Sequence, residues 1–154
     1  MSTLLLILHG LAAVFLIGAL THQAAGILRG TVKVSAQRGF VQRFAAVRPV
    51  GYAEAIAVLF VLTLVLGALI YPSYALGARS VIRAASPGAF AAFEIKEHFA
   101  ALGLGLLPAY WVLWRAPTTE ESRVVARRAV TLMLALIVWV AFLVGHVLNN
   151  LEGL

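Results

Sequence analysis

Four long apolar runs constrain this chain more than any other feature. A helix needs about 20 apolar residues to cross the hydrocarbon of a bilayer. The first run spans about Thr3 to Leu28, interrupted only by His9, Thr21, His22 and Gln23. The second spans about Tyr52 to Tyr71 and ends at Pro72. The third starts near Ala89 and holds an apolar stretch from Phe99 to Trp114, and the fourth spans about Ala129 to Leu148. Each is apolar around most of its circumference, as a lipid-embedded helix is. No alternating pattern of a β-barrel is present. Short connections between four such runs predict an all-α fold, a single integral membrane domain over residues 1–154. Its simplest form is an antiparallel four-helix bundle running up-down-up-down. Apolar residues make up 62% of the chain and charged residues 12%, about half the charged share of a soluble domain. That leaves too little polar surface to cover a globule in water.

The basic residues set an expected orientation. Arg29, Lys33, Arg38, Arg43 and Arg48 lie between the first two runs, and Arg115, Arg123, Arg127 and Arg128 between the last two. Arg79, Arg83 and Lys96 fall on the opposite side. The positive-inside rule then puts the first two groups in the cytoplasm and both termini outside, periplasmic for a bacterial inner membrane. The net charge of +6 reads as topology and headgroup contact, not nucleic-acid binding, because no motif of that class accompanies it. The expected partners are the lipid bilayer and other membrane subunits or a second copy of the chain. Trp111 and Trp114 are expected in the inner aromatic belt, Tyr71 and Tyr74 in the outer one. With no cysteine, disulfides, thiolate zinc sites, iron–sulfur clusters and c-type haem attachment are excluded. The N-terminal run lacks a basic leader and continues too far to read as a cleavable signal peptide.

This orientation brings three histidines to one depth. His9 lies near the outer end of the first run, His98 near the outer start of the third, and His146 near the outer end of the fourth. Glu94 and His98 share a helix face, with Lys96 and Glu97 beside them. Tyr71, Tyr74 and Arg79 come from the outer end of the second run, and Asn149 and Asn150 follow His146. A lone interfacial histidine reads as a snorkelling or hydrogen-bonded side chain. Three at one level with carboxylates read as a shared site. Haem b is the cofactor expected, with His9, His98 and His146 as candidate ligands and Arg79, Arg83 and Lys96 as candidate propionate partners. Ala12, Ala13, Ala101, Leu102 and Gly105 lie one or two turns inward and would clear space for the ring. Glu94, Glu97 and Tyr74 are candidates for coupled proton handling at a quinone. A single zinc or copper ion on His9, His98, His146 and a carboxylate is the alternative.

His22 stands about 20 Å from His9 along the helix and reads as a polar partner of Glu54. Glycines at 10, 18, 26, 103 and 105 allow close helix approach, and Pro108 is expected to kink the third helix. No nucleophile triad, phosphate-binding glycine loop or helix-borne HExxH is present, so any enzymatic role would be that of an oxidoreductase.

Two segments carry a family resemblance. The first helix begins LLLILHGLAAVFLIGALTHQ and the third opens FEIKEHFAALGL. In these the chain resembles small four-helix membrane haem proteins, the HemJ-type protoporphyrinogen oxidases and copper-resistance-like membrane domains. The resemblance implies haem binding by the first-helix histidine and a third-helix lysine, here His9 and Lys96. His98, Glu97 and His146 depart from that pattern. Three expectations result. The first is a b-type haem protein passing electrons near a quinone pool, with its site at the outer face. The second is a cofactor-free accessory subunit of a larger respiratory or photosynthetic membrane complex. The third is an oxidase of porphyrin precursors.

Overall fold

The computed structural model describes residues 3–29, 49–115 and 119–152, and their secondary structure is entirely helical. Helix α1 spans Thr3–Arg29 and α2 spans Pro49–Ser73. A π-helical turn, Tyr74–Ala78, leads into the short α3, Arg79–Ala85. Helix α4 spans Pro87–Arg115 and α5 spans Glu121–Glu152. The basic segment 30–48, on which the expected orientation leans, lies outside the described residues, as do the side chains of Arg29, Asn149 and Asn150.

Three segments are long and apolar enough to cross a membrane: Thr3–Leu28, Gly51–Gly77 and Glu121–Leu148. The anticipated third span is not among them. Helix α4 has 29 residues, but Glu94, Lys96, Glu97 and His98 crowd its first half. The apolar stretch from Phe99 to Trp114 falls short of the about 20 residues that a span needs. Around the outside, Leu4, Phe15, Leu28, Val58, Leu69 and Leu136 are each more than half exposed. Such a surface is unfavourable in water and natural against lipid chains.

The four long helices form a ring in which α1 neighbours α2 and α5, and α4 neighbours α2 and α5. Helices α1 and α4 are therefore diagonal. Neighbours run antiparallel: His9 meets Thr63 while His22 meets Tyr52, and Trp114 meets Thr131 while Gly103 faces Ile137. Gly103 is needed at that crossing, since a Cβ there would stand 2.6 Å from Phe60 Cζ.

Between α2 and α4 the chain makes an elbow. Pro72 does not end α2 as expected; it sits inside it. Beyond it the Arg79 N–H bonds to the Tyr74 carbonyl, the wider spacing of a π-helix, which holds one extra residue in the turn. Ser86 and Pro87 then restart the chain as α4. Pro87 has no N–H to leave unsatisfied at the first position, and the Ser86 hydroxyl accepts from the Ala89 N–H at 3.4 Å. Helix α4 also runs through Pro108 without a break.

The core is lopsided. Leu16, Leu20, Ile56, Phe60, Leu107, Tyr110, Leu134 and Val138 are buried together. They lie in the half of the ring remote from the elbow. In the elbow half, α1 before Ala12, α2 after Phe60 and α4 before Gly103 contribute no buried residue among those described.

Candidate functional site

The remote half is closed by polar contacts as well as packing. The fully buried Tyr110 hydroxyl donates to Gln23 Oε1 at 2.7 Å, joining the diagonal helices α4 and α1 through the centre. The Trp114 indole N–H donates to the Thr131 hydroxyl at 3.0 Å, and that hydroxyl donates back to the Arg127 carbonyl at 2.8 Å. Arg127 donates to the Leu113 carbonyl and lies over the Trp114 ring. Trp114 is thus a core residue, not part of an aromatic belt; Trp111 is exposed and lies under Arg115. The His22 ring packs on Tyr52, centroids 5.3 Å apart, and Glu54 is exposed. Beside these contacts a cavity of about 790 Å³ opens along α1 and α2, lined by Gly18, Thr21, His22, Tyr52, Leu59 and Trp139.

The elbow end carries His9, Arg79, Arg83, Glu94, Lys96, Glu97, His98 and His146. His9 is half-buried on the inward side of α1, and its Nδ1–H donates to the Thr63 carbonyl of α2 at 3.1 Å. A carbonyl can only accept, so Nδ1 carries a proton. Gly67 lets the ring lie this close: a Cβ there would be 3.3 Å from His9 Cε1. Lys96 and Glu97 of α4 lie within electrostatic range of His9. The Lys96 side chain is only 20% exposed, pairs with Glu97 at 3.2 Å, and rests on the Phe93 ring at 4.3 Å. Tyr74 stacks on the same ring, centroids 4.2 Å apart. Tyr74 and Lys96 thus meet on Phe93, and Glu97 joins them through its pair with Lys96.

His98 and His146 are placed differently. The His98 Nδ1–H donates to the carbonyl of Glu94, one turn back, at 2.6 Å. But His98 is exposed, and Ala101, Leu102 and Gly105 continue the same exposed stripe of α4. Those small residues clear no space inside the ring; of the inward set, Ala12 is buried and Ala13 half-buried. His146 is exposed on α5 and stacks on Phe142, one turn back. Among the described residues no group of three or more His, Asp or Glu side chains is gathered closely enough to hold a metal ion. Glu94 is held by Arg79 at 3.1 Å.

Sequence reasoning placed His9, His98 and His146 at one level, with Lys96 beside His98, but missed what frames His9 and Lys96. Thr63, Gly67 and Phe93 carry no polar or titratable signature that would single them out. Comparison with family models, with curated proteins and with solved structures returned no match.

Proposed function

We propose that this chain is an integral membrane four-helix bundle that holds a b-type haem in its elbow half, with His9 as a ligand, and passes electrons near a quinone pool. One observation carries the reading. The buried core lies in one half of the ring, and in the other half the partly buried His9 and Lys96, from diagonal helices, come within electrostatic range of each other.

The residues fit the group. A backbone carbonyl orients the His9 ring through Nδ1 and leaves Nε2 on its far side, the usual support for a ligating imidazole. Lys96 supplies the amine on the diagonal helix, as the resemblance to HemJ-type proteins implies for its lysine. When bound, the haem would supply one-electron chemistry. The chain's own residues bind and orient it, and their burial and hydrogen bonding set its potential. Glu97 and Tyr74, gathered around Lys96, would hold or release the protons that accompany electron transfer to a quinone. The described geometry gives the zinc or copper alternative no support. The elbow end is taken as the outer face of a bacterial inner membrane, following the charge rule.

The exposure of His98 and His146 favours a second reading, an accessory subunit whose exposed histidines meet another membrane protein. The two readings separate on a visible spectrum of the purified protein in detergent, oxidised and dithionite-reduced. The haem reading expects a Soret band that His9→Ala abolishes and His146→Ala leaves intact. A wild type that shows no Soret band after haem supplementation would refute it. Porphyrin fluorescence after addition of protoporphyrinogen separates electron transfer from oxidation of a porphyrin precursor.

A further inference from the structure

At the elbow, Arg79 and Arg83 lie one turn apart on α3 and share one aromatic ring. Their guanidinium carbons stand 5.5 and 5.4 Å from the centroid of Phe90. Two cations on one ring repel each other, and the ring's face offsets only part of that. The carboxylates of this layer are already engaged: Glu94 pairs with Arg79 at 3.1 Å and Glu97 with Lys96 at 3.2 Å. Arg83 makes no ion pair among the described side chains. Two guanidinium groups are therefore drawn to one ring, and Arg83 has no anion of its own among the described side chains.

We propose that Arg83, with Arg79 and Phe90, binds the phosphodiester headgroup of an anionic phospholipid. A guanidinium stacked on a ring keeps its edge N–H groups free and correctly spaced for two phosphate oxygens. The surroundings select a lipid over a free phosphate. The elbow follows directly on the apolar segment Gly51–Gly77, at the depth where headgroups begin. Leu76 is 91% exposed and Val81 65% exposed, which gives acyl chains an apolar surface beside the two cations. Ile82, buried, ties α3 to the rest of the elbow, so the cations sit on a fixed support. The inference rests on membrane embedding and is independent of the haem.

The test uses the full chain in a neutral detergent and reads its thermal unfolding midpoint against added phosphatidylglycerol, phosphatidylcholine or inorganic phosphate. Phosphatidylglycerol is expected to raise the midpoint, and the other two to leave it unchanged. Arg83→Gln should weaken the phosphatidylglycerol effect about fivefold, the factor for one arginine near an anionic surface. Arg128→Gln, which removes the same charge at the opposite end, should keep it. Arg83→Lys keeps the charge but loses the planar fork, and should fall between. Native mass spectrometry of the wild type, expected to retain one phosphatidylglycerol, gives a readout that needs no variant. Equal shifts with phosphatidylcholine or phosphate, an unaltered Arg83→Gln, or equal losses in Arg83→Gln and Arg128→Gln would each overturn the proposal. A chain that stays in solution without detergent would instead defeat the membrane reading.

Discussion

At the residue scale, the contact that matters most to cohesion joins Gln23 and Tyr110 across the diagonal. Gln23 Nε2 is buried without a partner, so the amide is held on one side only. Gln23→Leu removes that orphan but strands the Tyr110 hydroxyl, which is expected to lower stability by about 1–3 kcal/mol. The double variant Gln23→Leu, Tyr110→Phe removes both polar ends and is expected to recover most of the loss. Thermal unfolding of the three proteins in detergent checks this, and a double variant no better than the single would show that the hydrogen bond is not the cause. Gln23 interrupts the first apolar run and Tyr110 sits within the third, so both were visible in the sequence. Their pairing was not, because it depends on α1 and α4 facing each other through the centre. The same holds for His9: its position could be read, but its bond to a carbonyl of α2 and its seat against Gly67 could not. Backbone carbonyls and missing side chains leave no mark in a list of chemically distinctive residues.

At the element scale, the four long helices were legible because a long apolar run has few other solutions. Their ends were less so. Pro72 reads as a terminator because it lacks an N–H and crowds the preceding turn, yet the helix carries on through it into the π turn. Helix α5 begins well before the apolar run at Ala129, since Glu121, Ser122, Arg123, Arg127 and Arg128 supply a mostly polar first two turns. The glycines of α4 illustrate how spacing misleads. Gly103 sits where α2 and α4 touch, while a Cβ at Gly105 would meet nothing within 4 Å. Gly103→Val is expected to force Phe60 aside at a cost of about 1–3 kcal/mol, the range for overpacking. Gly105→Val should be close to neutral. The difference between their unfolding midpoints measures the crossing directly.

At the scale of the whole molecule, the buried core and the proposed site occupy opposite ends. The lopsided core was not legible, because apolar residues occupy both halves alike and only packing shows which half closes. The expected orientation can be tested without altering a native thiol, as the chain has no cysteine. Ser86→Cys, at the elbow, should react with a membrane-impermeant maleimide in intact spheroplasts. Ser122→Cys, at the other end, should react only after permeabilisation; the reverse pattern would invert the assignment. The extra residue in the π turn has a consequence of its own. Every residue of α2 is locked in phase with its neighbours, but beyond Tyr74 that phase is reset, so the bearing of α3 is independent of the bundle that supports it. A one-residue insertion or deletion there would swing Arg79 and Arg83 to a new compass point and leave the buried core untouched. The elbow is thus the part of the molecule whose surface chemistry can be re-aimed without rebuilding the fold.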